Sequence, residues 1–164
     1  MQRPNILWYC TDQQRFDTMA TLGNCHIQTP CLDKFVSTSV AFTHAYCQSP
    51  ICTPSRASFL TGMYPSALAV NGNGIEQFPS HYENRLIPHV LSQAGYDCGL
   101  VGKLHLSSAA LGQEQRVSDG YRYFQYSHDH KGPNAFGYDY AEWLRQQGVN
   151  PETLMQTPIK RQLS

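Results

Sequence analysis

The chain has 164 residues, 41% hydrophobic and 15% charged, with 10 Tyr and 7 Phe, a composition that supports one folded domain and excludes a disordered chain. Lys plus Arg equals Asp plus Glu at 12 each, so no net field draws the chain to nucleic acid or to an anionic membrane. No apolar run approaches a bilayer span, and the start of the sequence carries no basic, apolar, small-residue leader; the expectation is a cytoplasmic protein.

In chain order, residues 5–10 (NILWYC) predict a buried strand that ends near Thr11, with Asp12 just past its carboxyl end. A polar loop runs to Gln28. Thr29 and Pro30 then open a helix, as cap and first helical residue, with Leu32, Phe35 and Val36 on one face. Residues 39–46 (SVAFTHAY) read as a strand, and His44 within it as structural. After the loop CQSPIC, Thr53 and Pro54 open a second helix through Leu60, with Gly62 as its stop. Residues 64–85 read as surface loop, with Asn71 and Asn73 as turn residues. Residues 86–94 show a helical apolar stripe ended by Gly95, and residues 96–101 a short strand leading to Gly102 and Lys103. The aromatic-rich stretch that follows is irregular, with Tyr121, Tyr123, Phe124 and Tyr126 expected to pack as core. A last helix covers residues 138–147, stopped by Gly148. Strands alternating with helices indicate an α/β layer fold with a largely parallel sheet, whose working residues gather at the carboxyl ends of strands.

Six cysteines stand at 10, 25, 31, 47, 52 and 98. The chain is long for a stapled scaffold and contains no CxxC pair, so neither a disulfide framework nor a structural zinc site is expected. Cys10 and Cys98 lie in apolar stretches and read as small core hydrophobes. Cys52 differs because Thr53, Pro54, Ser55 and Arg56 follow it. Pro54 starts a helix, so backbone N–H groups near residues 53–56 should face whatever lies beside Cys52. Arg56 adds a planar cationic fork suited to tetrahedral oxyanions. The residues alone leave two readings open: a reactive cysteine beside an anion site, or a buried cysteine at a helix start.

The segment C-T-P-S-R, followed by A-S-F-L-T-G, resembles the signature of the type I sulfatase family. Residues 95–106 (GYDCGLVGKLHL) are similar to that family's second signature, GYxTxxxGKWHL, and residues 3–12, from R-P-N-I-L to Asp12, to its opening strand. The three segments occur in the family's order. The resemblance implies an alkaline-phosphatase-like fold, with a large mixed sheet flanked by helices, of which residues 1–164 would be the N-terminal, truncated portion. It implies hydrolysis of a sulfate monoester on a sulfated small molecule or sugar. Cys52 would be converted by a formylglycine-generating enzyme to an aldehyde whose hydrate attacks sulfur with one hydroxyl, releasing the alcohol; the other hydroxyl then loses its proton and the diol carbon expels sulfate, regenerating the aldehyde. Arg56 would hold that group, and Lys103 and His105, two apart on an extended segment, would bind sulfate on one side. Asp12, Gln13 and the modified residue 52 would ligate a divalent metal, calcium first, with magnesium or manganese as alternatives. The family often has a second Asp where this chain has Gln13, which keeps a phosphonate or phosphate ester hydrolase of the same scaffold open. The third alternative is a non-catalytic, anion-binding fragment. His128 and His130 (SHDHKG) read as an exposed polar loop rather than a pocket or a metal pair.

Overall fold

The computed structural model describes residues 3–75, 77–109, 113–128 and 138–156. The chain divides into two compact units, Met1–Tyr46 and Cys47–Ser164. Among the described residues, no helix is long and apolar enough to cross a membrane.

The first unit is organised around one helix, α1 (Pro30–Ser37). Pro30 opens it as expected, since the proline ring presets a helical φ and the missing N–H would lack a helical acceptor there anyway. Thr29 does not cap its own helix. Its Oγ1 accepts the N–H of Ala20 at 2.9 Å and donates to Asp33 Oδ1 at 2.8 Å. Asp33 Oδ1 also accepts the N–H of Thr21 at 3.0 Å, so the pair pins the 3-10 turn Ala20–Leu22 to the helix. Leu32 and Val36 are half-buried, whereas Phe35, expected on the same face, is exposed.

Two expected strands in this unit are absent. Residues 5–10 and 39–46 form neither strand nor helix, and Ile6, Leu7, Trp8, Tyr9, Val40, Phe42 and Tyr46 are exposed. A strand satisfies its backbone only through a neighbouring strand, and the first unit has none among its described residues. Without a ladder, β-prone composition does not make a strand. Cys10 is exposed and not a core residue, and His44 is exposed, its Nδ1 3.0 Å from Thr43 Oγ1.

The second unit holds the core. The helix α2 (Cys52–Thr61) packs Ala57 and Leu60 against Leu68, Val70, Phe78, Leu86, Leu104 and Leu106. Gly62 ends it at φ 70°, donating its N–H to Ser58 O at 2.8 Å, the left-handed stop foreseen for a glycine. The expected loop at 64–85 contains a 3-10 turn, Ser80–Arg85, that leads into α3 (Ile87–Gln93). The strands β1 (Gly99–Gly102) and β2 (Tyr123–Tyr126) pair in parallel, Gly99 opposite Tyr123 and Gly102 opposite Tyr126. The helices α4 (Asp139–Gln146) and α5 (Pro151–Gln156) follow. This is α/β structure with parallel pairing, as the alternation of elements implies.

The sequence pattern predicts neither β2 nor α5. The run YFQY is short and shows no alternation of polarity; it becomes a strand because β1 lies beside it. Tyr123 is exposed, whereas Phe124 and Tyr126 pack as core, as expected: the Phe124 and Tyr126 rings stack at 5.9 Å, and Tyr138 meets Tyr126 edge-on at 5.3 Å. The turn into β2 is built by Asp119, whose buried carboxylate pairs with Arg116 and accepts the Tyr121 N–H at 2.9 Å. Arg116 in turn lies 4.2 Å over the Phe124 ring, a cation held against an aromatic face.

Candidate active site

Cys52 is the first residue of α2 rather than a loop residue ahead of it, and it is half-buried. The start of this helix is not an open row of donors. The Thr53 N–H is taken by Asn73 Oδ1 at 3.0 Å, Pro54 has no N–H, and the Ser55 N–H bonds Ile51 O at 3.0 Å. The expectation of several N–H groups facing an anion is therefore corrected: the helix dipole remains, but these donors are engaged. Asn73 serves as a cap supplied from twenty positions away, and that is more than the turn role its sequence suggests. Thr53 and Pro54 are fully buried, so the turn that carries Cys52 is fixed by packing as well. All six cysteines are free thiols. Burial pushes the Cys98 thiol up, with the neighbouring Asp97 charge adding to it.

Arg56 stands one helical turn after Cys52, on the same face. Its Nη1 donates to the Lys103 carbonyl at 2.6 Å. Two sequence motifs 47 positions apart are thereby joined directly, helix α2 to the segment that leaves β1. Lys103 is half-buried and His105 is buried. The segment is not extended as alternation had suggested. Gly102 has φ 119° and His105 φ 55°, a left-handed conformation that is uncommon for a residue with a Cβ. Same-side presentation by simple alternation therefore does not apply here.

The 103–108 segment is held from several directions. Glu114, itself buried, accepts the N–H groups of His105, Leu106 and Ser107 at 2.5, 2.7 and 3.0 Å. Ser107 Oγ donates to Gln115 O at 3.1 Å, and the Ser108 N–H to Ile75 O at 2.7 Å. Burial raises the Glu114 carboxyl above the ordinary glutamate range, opposed by the three N–H groups and by the Arg56 charge. Sequence reasoning missed Glu114 altogether. An acidic residue in a polar stretch carries no local sign that it will be buried.

The strand β2 brings a second chain segment to the same sheet end. Its final residue pairs with Gly102, and the Ser127 N–H bonds Gly102 O at 2.9 Å. His128 follows, half-buried, its ring 4.2 Å from that of His105 and edge-on to it. The exposed-loop expectation for His128 is thus corrected, because parallel pairing delivers it beside His105; His130 lies outside the described residues. Burial, and next the Glu114 charge, hold the Tyr126 phenol above its ordinary range.

In the first unit, Asp12 and Gln13 are exposed in a bend, and Gln13 has φ 52°. Both offer oxygen donors side by side, the chemistry that a hard divalent cation takes. Among the described residues no group of three or more His, Cys, Asp or Glu side chains forms a metal cluster.

The sulfatase family model matches residues 4–157. The chain belongs to the sulfatase family. It is 35% identical over 133 residues to an ulvan-active sulfatase from Formosa agariphila, a match covering 78% of this chain and 25% of that protein. It is 33% identical over 150 residues to an arylsulfatase from Clostridium perfringens, covering 88% of this chain and 31% of the relative. An N-acetylglucosamine-6-O-sulfatase from Bacteroides thetaiotaomicron is 33% identical over 113 residues, 68% of this chain and 19% of that protein. The chain thus spans between about a fifth and a third of the length of these relatives. The motifs at Cys52 and Lys103 both fall inside the matched region.

Proposed function

We propose that the whole protein to which this sequence corresponds hydrolyses a sulfate ester, on an alkaline-phosphatase-like scaffold, and that residues Cys52, Arg56, Lys103 and His105 form the sulfate side of its site. The observation that carries this reading is the Arg56 bond to the Lys103 carbonyl, which joins the family's two signature segments through one guanidinium. Arg56 and Lys103 are cations with many donors, and His105 is buried beside them in sequence, a set suited to charge that builds on sulfate oxygens.

Cys52 is the proposed site of conversion to formylglycine by a modifying enzyme. That group supplies a nucleophilic oxygen and a second hydroxyl whose deprotonation would let the same carbon release sulfate and regain its aldehyde. The chain's own part is to hold residue 52: the Asn73 cap and the buried Thr53–Pro54 turn fix its position. Asp12 and Gln13 are the proposed protein donors to a divalent cation, calcium in the first instance, which supplies positive charge toward a sulfate oxygen. Gln13 leaves that donor pair with one negative charge fewer than two aspartates, and this favours a second reading, a phosphonate or phosphate ester hydrolase. The substrate class proposed is a sulfated small molecule or sugar.

Coexpression with a formylglycine-generating enzyme, followed by mass spectrometry of the peptide containing residue 52, tests the modification; replacement of the Cys52 sulfur by an aldehyde is expected. Chromogenic aryl sulfate, phosphate and phosphonate esters, assayed on the whole protein, then rank the transferred group. A rate on sulfate no higher than on phosphonate would sink the sulfatase reading in favour of the second one. Little or no turnover is expected from these 164 residues alone.

A further inference from the structure

The segment 105–107 presents three successive N–H groups around a left-handed residue, the backbone form that elsewhere makes a concave anion nest. Here the nest is filled by the chain itself. Both carboxylate oxygens of Glu114 are used, Oε1 on His105 and Oε2 on Leu106 and Ser107. A buried carboxylate is costly, and an amide or an apolar residue would be cheaper if only the core had to be filled. No neutral side chain, however, offers two equivalent acceptors to three donors. The left-handed backbone of His105 also carries a cost that surrounding structure must offset.

From this geometry we infer that Glu114 is a positioning residue: its carboxylate sets the backbone of His105 and thereby the presentation of Lys103 and His105. The role in sulfate binding rests on the function proposed above; the clamp itself does not. Arg56 supports the same arrangement from the other side, bonding the Lys103 carbonyl and attracting the Glu114 charge. The Tyr126 phenol feels the Glu114 charge as well, and the Tyr126 ring lies 6.2 Å from that of His128, which meets His105.

The test is nuclear magnetic resonance on this chain, isotope-labelled, as parent, Glu114→Gln and Glu114→Asp. In the parent, the amide signals of His105, Leu106 and Ser107 should titrate together with the Glu114 carboxyl, at a midpoint above the ordinary glutamate range. In Glu114→Gln, amide exchange at 105–107 should speed by about tenfold or more while Gly62 and the other amides of α2 hold. The His105 to His128 ring contact should weaken in the same variant. Glu114→Asp keeps the charge on a shorter arm and should restore part of both. Titration with inorganic sulfate should show weaker binding at Lys103 and His105 in Glu114→Gln and partial recovery in Glu114→Asp. Unchanged exchange at 105–107 in Glu114→Gln overturns the inference, as does a uniform loss of protection across the second unit in both variants. If the parent shows no response to sulfate, the proposed sulfate site falls, and the amide and ring signals still decide the clamp.

Discussion

Substituting Arg56 by Lys tests whether one guanidinium joins the two signature segments. The charge is kept, but the planar fork is lost and the ammonium reaches less far, so the Lys103 carbonyl loses its 2.6 Å partner. A hydrogen bond from a charged donor contributes about 1.5–3 kcal/mol. Arg56 is only half-buried, and water replaces part of the loss, which places the expected cost at about 1–2 kcal/mol. For a cooperative unit of roughly a hundred residues that corresponds to a fall in Tm of about 4–10 °C. Thermal and urea unfolding of the parent and of Arg56→Lys measure it. The matched control is Arg122→Lys: Arg122 makes a bidentate pair with Asp97, but both side chains are largely exposed, and no measurable change is expected. A Tm for Arg56→Lys within about 1 °C of the parent, or equal losses in the two variants, would refute the argument that this bond couples the segments.

Gly120 has φ 91°, and a Cβ there would meet His89 Cα and Pro88 O at 2.5 Å, backbone atoms that cannot step aside. Gly120→Ala should therefore cost at least about 2 kcal/mol, or prevent folding, read by urea unfolding and soluble yield. Asn73→Ala removes the cap from α2 and should cost about 1 kcal/mol, with faster amide exchange at Thr53; Asn73→Asp should retain the cap. Glu114 holds its proton to higher pH in the folded chain than in the unfolded one, so the folded state binds more protons between those two midpoints. Stability in urea should accordingly fall as pH rises from the ordinary glutamate range through the folded midpoint, then level off, and Glu114→Gln should lack that limb. Asp97, held low mainly by its hydrogen bonds to Arg122, acts in the opposite sense at lower pH, where its contribution is lost on acidification.

What could be read from the sequence follows physical locality. Helices α1, α2, α3 and α4 bond their backbones within themselves, and Pro30, Pro54, Gly62, Gly95 and Gly148 mark their starts and stops on the spot. The motifs around Cys52 and Lys103 are legible for the same reason, and both lie in the region that matches the sulfatase family. Strands do not carry their partners with them. The composition of residues 5–10 and 39–46 promised strands that the first unit does not form, while the unpromising YFQY became β2 because β1 lay alongside. The residues that position the candidate site show the same division. Asn73 reaches α2 across twenty positions, Glu114 closes on 105–107 from beyond the segment, Arg56 bonds a carbonyl 47 positions on, and His128 arrives beside His105 on a paired strand. Local sequence was enough for the helices, for the family and for naming Cys52, Arg56, Lys103 and His105 as candidates. What holds their segments emerges with the packed chain, because a buried carboxylate or a borrowed cap is recognisable only once the donors it satisfies are in place.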